Sequence, residues 1–249
     1  MRGTENSHGA EACKATKVAV VTGASRGLGR QIAVSLGKAG YSVAVNYNES
    51  SNDAEEAARL AGKESAAIRA DVGSVRDVEA LEAEVRRRWG RVDAVVNNAG
   101  VAKDGLLARY AEADWDEVIR VNLTGCVNTV RAFVPLLIQS GGGHIVNISS
   151  RSSRGKIGQI AYSASKASVL GLTLTMAREL AEYNIRVNAV LPGYMATRMG
   201  AKAEEAMTRA REESVIGSLS VPEEIAGFIE YLLSTRCITG QTFCLDSRI

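Results

Sequence analysis

The sequence predicts an α/β fold: a single doubly wound domain whose parallel sheet of about seven strands is flanked by helices. Three observations predict it. Short apolar runs alternate with helix-period stretches along almost the whole chain. These runs are apolar at nearly every position, as strands covered on both faces must be. A glycine-rich turn separates the first run from the first helix. Such alternation implies right-handed crossovers and helices on both sides of the sheet.

The elements follow in order. Lys17 to Thr22 reads as a buried strand, and Gly27 to Ala39 as a helix closed by Gly40. Tyr41 to Tyr47 is a second strand, Asn52 to Ala61 a helix ended by Gly62, and Ser65 to Ala70 a third strand. Val75 to Trp89 is an amphipathic helix, with Val78, Leu81, Val85 and Trp89 at three- and four-residue steps. Val92 to Val96 is a fourth strand. Glu112 to Gln139 is a long helical stretch, expected to be interrupted at Pro135. His144 to Ile148, Arg186 to Val190 and Thr242 to Leu245 are strands. Ala161 to Tyr183 and Pro222 to Leu233 are helices, the latter with Pro in its first turn.

Bulk properties narrow the function. A chain of 249 residues suits one α/β domain with a large core. Its 46% hydrophobic and 23% charged content is that of a globular protein. A net charge of +2 and 5% aromatic residues argue against a nucleic-acid surface. Cys13, Cys126, Cys237 and Cys244 form no CxxC pair, and His8 and His144 are the only histidines. No metal site is expected, and the cysteines suit a reducing compartment. No apolar run is expected to approach the ~20 residues that a membrane span needs. Residues 1–16 read as a disordered leader before a domain spanning 17–249, because they lack the apolar core of a signal peptide. A soluble, cytoplasmic protein is expected.

The turn after the first strand runs Thr22-Gly23-Ala24-Ser25-Arg26-Gly27-Leu28-Gly29. Glycines here let the backbone approach a pyrophosphate, which rests against free N–H groups at the positive end of the helix. The reading is a dinucleotide site of the Rossmann type; the lysine of an ATP-binding P-loop is missing. Thr22, Gly23, Ser25, Arg26, Gly27, Leu28 and Gly29 are the expected contacts, with Asn46 at the end of the second strand. That strand carries no acid until Glu49, where a carboxylate would hold the ribose 2′-OH of NAD. Arg26 can instead meet a 2′-phosphate through a charge-assisted bond, so NADP(H) is the expected cofactor.

Tyr162-Ser163-Ala164-Ser165-Lys166 places Tyr162 and Lys166 on one helical face. A phenol titrates at about 10, and a neighbouring ammonium is expected to lower that value.

With these motifs in hand, the chain resembles the short-chain dehydrogenase/reductase family from Lys17 onward. Thr22 to Gly29, Asn97-Asn98-Ala99-Gly100, Asn122, Ser149-Ser150, Tyr162 with Lys166, and Pro192-Gly193 with Thr197 fall in the family's order. Within it, the 3-oxoacyl-[acyl-carrier-protein] reductase branch is the most similar. The resemblance implies a catalytic set of Asn122, Ser150, Tyr162 and Lys166. Tyr162 would exchange the proton, Lys166 would lower its pKa and hold the nicotinamide ribose, and Ser150 would polarise the carbonyl. Asn122 would hold a water serving Lys166. Asp71 and Val72 would contact adenine, Asn97, Ala99 and Gly100 would line the crevice, and Pro192, Gly193 and Thr197 would border the carboxamide. A homotetramer or homodimer is implied as well.

Departures from the pattern matter. The family's usual serine–tyrosine spacing of thirteen fits Ser149, whereas Ser150 gives twelve; strand register favours Ser150. After the last strand, Asp246 is followed by Ser247-Arg248 where relatives carry two glycines. Arg151, Arg154, Lys156, Arg198 and Lys202 could hold an anionic handle of a substrate borne on acyl carrier protein or CoA; solvated loop charges are the other reading. A 3-oxoacyl thioester is the expected substrate, with another small alcohol, a sugar or a steroid as the alternative. A cofactor-binding regulator should lack Tyr162 or Lys166, and both are present.

Overall fold

The computed structural model describes residues 16–62, 64–195 and 204–248. The expected leader, apart from Thr16, lies outside them.

Seven parallel strands form one sheet in the order β3-β2-β1-β4-β5-β6-β7. They are β1 (Val18–Val21), β2 (Ser42–Tyr47), β3 (Ala66–Arg69), β4 (Ala94–Asn97), β5 (Gly143–Ile148), β6 (Ile185–Pro192) and β7 (Thr242–Leu245). Strand alternation splits the core in two. Ala19 and Val21 face a cluster with Ile32, Leu36, Ala57 and Ile229, from α1 (Gly27–Lys38), α2 (Ser51–Ala61) and the helix Pro222–Leu232. Val18 and Val20 face Leu81, Val85, Phe133 and Leu137, from α3 (Val75–Trp89) and the helix Gly125–Gln139. The doubly wound fold is therefore present as expected.

The chain order reverses between β1 and β4, which pair through Ala19, Val20 and Val21. At that switch the loops after the two strands diverge and leave a crevice at the carboxyl ends of the strands.

Two expectations are corrected. The stretch 112–139 is not broken at Pro135. It comprises α4 (Glu112–Ile119), a π-helical turn (Arg120–Thr124) and α5 (Gly125–Gln139), which runs through Pro135. Arg131, whose carbonyl loses its partner, and Pro135 both face solvent, where water can replace the missing bond. Contrary to the reading that no stretch approaches a membrane span, Glu112–Gln139 reaches that length and apolarity, with a mean hydropathy of 1.4 in its best window. Half of that window is buried within the protein, with Phe133, Leu136 and Leu137 fully enclosed.

The remaining helices are α6 (Ile160–Glu179), α7 (Glu204–Glu212) and α8 (Pro222–Leu232). Helix α7 has no counterpart in the sequence reading. It buries only Ala210, so no apolar stripe marks it.

Candidate active site

The crevice at the switch encloses about 350 Å³, the size of a ligand site. The glycine turn closes one end. Gly23 has φ +61, and a Cβ there would stand 2.8 Å from Ala99 Cα, so only glycine allows the two loops to meet. Asn46, buried at the end of β2, accepts from Gly23 N at 3.3 Å and donates to Ala70 O at 3.0 Å, tying the turn to the neighbouring strands. Helix α1 starts at this turn with no acidic residue in its first turn and no side-chain cap. Its unpaired N–H groups and positive dipole end thus remain suited to an anion.

Gly23, Ser25, Arg26, Gly27, Leu28, Gly29 and Asn46 line the crevice, together with Asp71, Val72, Ala99 and Gly100. Arg26 Nη1 donates to Ser50 Oγ at 3.3 Å, and Ser50 and Glu49 also border the cavity. Asp71 accepts from Gly73 N at 2.9 Å and pairs with Arg120 at 2.7 Å. Asn128 holds the carbonyl of Val72 at 3.0 Å.

Two residues expected at the crevice lie elsewhere. Thr22 and Asn97 border a separate internal cavity of about 10 Å³ behind it. Thr22 is enclosed because its hydroxyl accepts from Asn98 N and Ala99 N, each at 3.0 Å, clasping the loop after β4 to the glycine turn. The Asn97 amide lies on the sheet face beneath α5 and donates to its cross-strand neighbour Asn147 Oδ1 at 2.9 Å, while its own Oδ1 is buried without a hydrogen-bond partner. Asn98, next along the chain, lines the crevice instead and donates to the carbonyls of Thr22 and Gly23 at 2.9 and 3.1 Å. Asn122 also borders the inner cavity; the widened π turn carries it there. Its side chain is engaged by Val101 N at 2.8 Å, Val101 O at 3.0 Å and Ser165 Oγ at 3.1 Å.

At the other end of the crevice stand Ser150, Tyr162, Lys166, Pro192 and Gly193. Thr197, Arg198 and Lys202 lie outside the described residues. The two adjacent serines differ sharply. Ser149 is buried and its hydroxyl donates to Lys166 O at 2.6 Å, a bond that joins β5 to α6. Ser150 lines the crevice with the Tyr162 phenol, and its Oγ accepts from Ser152 N at 3.1 Å.

Lys166 Nζ lies 5.7 Å from the centre of the Tyr162 ring and donates to Ile148 O at 2.8 Å. Burial pushes the Lys166 ammonium down to about 8. Burial likewise pushes the Tyr162 phenol above its ordinary value; the Ser150 hydroxyl opposes this and the Asp104 carboxylate adds to it. In this structure desolvation disfavours both charged forms, and the phenol keeps its proton at neutral pH.

The basic cluster past the serines is also corrected in part. Arg151 is engaged by Asp246 at 3.4 Å and by the carbonyl of Arg248, and so is not a solvated charge. Lys156 Nζ stands 5.6 Å from the centre of the Tyr194 ring. Arg154 is exposed.

Sequence comparison agrees with this geometry. A model of the short chain dehydrogenase family matches residues 17–208. The 3-oxoacyl-[acyl-carrier-protein] reductase FabG of Staphylococcus epidermidis is 42% identical over 233 residues, covering 91% of this chain and 96% of that protein. The FabG of Staphylococcus aureus is 42% identical over 236 residues, covering 92% and 96%. The 3-oxoacyl-[acyl-carrier-protein] reductase of a Synechocystis species is 41% identical over 239 residues, covering 92% and 95%.

Proposed function

Because this chain belongs to the short-chain dehydrogenase family, we propose that it reduces a ketone to a secondary alcohol with NADPH, its substrate a 3-oxoacyl thioester on acyl carrier protein or CoA. The observation that carries this reading is the meeting of Ser150, Tyr162 and Lys166 at the end of the crevice opposite the glycine turn. The names of the similar reductases support the acyl substrate.

The residues present fit a dinucleotide. The open start of α1 suits the pyrophosphate, and Arg26 with Ser50 suits a 2′-phosphate. Asp71 and Val72 border the space for adenine, and Pro192 and Gly193 the space for the carboxamide. When bound, the nicotinamide supplies the hydride. The chain's own residues supply the rest. Ser150 donates a hydrogen bond to the carbonyl oxygen as negative charge develops on it. Tyr162, kept protonated by burial, gives its proton to that oxygen; an alkoxide is a much stronger base than a phenolate, so the transfer runs downhill. Lys166 then stabilises the phenolate by its charge and hands on a proton, which its lowered pKa makes easier. Asn122, by fixing Val101, holds the loop over Lys166 in place.

The test follows NADPH consumption with acetoacetyl-CoA and with an acetoacetyl carrier protein, against NADH controls. Wild type should turn over with NADPH, and Tyr162→Phe should lose turnover by at least about a hundredfold while binding NADPH normally. Equal turnover by the two proteins would overturn the mechanism, and turnover with NADH alone would overturn the cofactor assignment.

A further inference from the structure

The segment after β7, Asp246-Ser247-Arg248, stands where relatives carry two glycines after the Asp, and its side chains are all paired. Arg248 is long and charged, yet its side chain is only 13% exposed. Its Nη2 and Nε reach Asp246 Oδ2 at 2.8 and 2.9 Å, and its Nη1 stands 3.6 Å from Glu213 Oε2, just past α7. Asp246, 3% exposed, is also paired with Arg151 at 3.4 Å, and Arg151 Nη1 donates to the carbonyl of Arg248. Two guanidinium groups and two carboxylates thus form a neutral, mostly enclosed cluster, which argues against an anion site here.

The backbone repeats the connection. Ser214 and Arg248 form an antiparallel bridge, and Val215 N donates to Ser247 O at 3.1 Å. The hydroxyls of Ser214 and Ser247 are 2.6 Å apart. On the other side, Arg151 opens the short turn that follows Ser150. That turn supplies Ser152 N, the donor to Ser150 Oγ at 3.1 Å. One cluster therefore ties the region past α7 to the turn that orients the serine hydroxyl.

We propose that Arg248 is a positioning residue, which acts through Asp246 and Arg151 to hold the turn after Ser150 and through Glu213 to hold the segment past α7. A buried carboxylate needs a partner, and Asp246 keeps its charge because Arg248 and Arg151 outweigh the burial that opposes it. Without the Arg248 side chain, Asp246 retains Arg151 at the longer distance and the backbone N–H of residue 248 at 3.3 Å, and must recruit water. Both moves shift Arg151 and the turn it begins. Lysine offers a point charge in place of the fork, and so replaces only part of the contact.

The assignment rests on the ketoreductase reading for its kinetic arm only. Arg248→Ala, Arg248→Lys and Glu213→Gln are compared by amide hydrogen exchange and by kinetics with NADPH and acetoacetyl-CoA. In Arg248→Ala, exchange at Ser152 and Val215 should quicken by about tenfold or more while the amides of β5 keep their rates. The kcat/KM for the carbonyl substrate should fall about tenfold, with the Kd for NADPH within about twofold, as expected when the turn that orients the Ser150 hydroxyl loosens while the glycine turn is untouched. Arg248→Lys should recover part of both effects. Glu213→Gln, at a half-exposed site, should quicken Val215 and leave Ser152 unchanged. Unchanged exchange at Ser152 in Arg248→Ala overturns the proposal, as does a loss of NADPH affinity equal to the loss for the carbonyl. If Arg248→Ala does not fold, Arg248→Lys decides: wild-type exchange at Ser152 and Val215 overturns the proposal. If wild type turns over no carbonyl, the exchange arm stands by itself.

Discussion

Thr22→Val keeps the shape of a buried side chain and removes its hydroxyl. That hydroxyl accepts from Asn98 N and Ala99 N, each at 3.0 Å, and sits 3.4 Å from Val96 O. In the variant, two backbone donors lose their acceptor. An unsatisfied buried donor costs about 1–3 kcal/mol, and these two residues are only partly enclosed, so water can reach part of the site. The expected loss is about 2–4 kcal/mol. It should appear in urea as a lower midpoint with an unchanged m value. Because Ala99 and Gly100 line the crevice, NADPH affinity should fall as well. Thr22→Ser keeps the hydroxyl and should remain near wild type in both assays. A Thr22→Val protein within about 0.5 kcal/mol of wild type, binding NADPH normally, would refute the clasp.

Arg26→Ala should weaken NADPH binding by about 10- to 100-fold, the worth of one or two charge-assisted bonds, and leave NADH binding nearly unchanged; titration of each cofactor checks it. Lys166 titrates near 8 in the folded chain and near 10.5 when unfolded, so the unfolded state binds more protons between these values. Wild-type stability should therefore carry a rising contribution between about pH 8 and 10.5 that Lys166→Met lacks, measured as the difference in slope between the two proteins. A Cβ on Gly37 would stand 2.6 Å from the carbonyl carbon of Ala61, where α1 meets α2. Gly37→Ala should cost about 1–3 kcal/mol or more, whereas Gly227→Ala, with nothing within 4 Å, should gain about 0.4–1 kcal/mol; thermal melts separate them.

Elements with a strong period or an apolar run were legible in the sequence. Val75–Trp89 and Thr242–Leu245 have the expected bounds, and the other strands and helices of the sheet layers shift by one to four residues at their ends. What escaped was set by tertiary context. The π turn at Arg120–Thr124 has no signature in residue type, whereas Pro135 carries a strong breaker signal that solvent exposure cancels. Motif reading placed Thr22 and Asn97 near the crevice but could not tell which way their side chains turn. Alternation along β4 sends Asn97 to the face opposite that of Ala94 and Val96, beneath α5 and α6, and this signal is present in the sequence. The electrostatics of Tyr162 depend on enclosure, which the four-residue spacing to Lys166 does not reveal. Ser149 and Ser150, just past β5, are separated by the same alternation, the first hydroxyl bonded to the Lys166 carbonyl and the second free to face the crevice.

The reversal of strand order between β1 and β4 also divides labour along the chain. The end of the crevice at the glycine turn is built mostly from residues 23–72, with the loop after β4 clasped onto it, and the end at Tyr162 from residues after β4. The two stretches meet directly in the sheet only through the short β1–β4 pairing. Changes in residues 46–50 can therefore alter which dinucleotide is held without moving Ser150 or Tyr162. Changes around residues 150–160 can alter which carbonyl is accepted without disturbing the turn at Gly23. Cofactor preference and substrate preference are in this sense separately heritable traits of one domain.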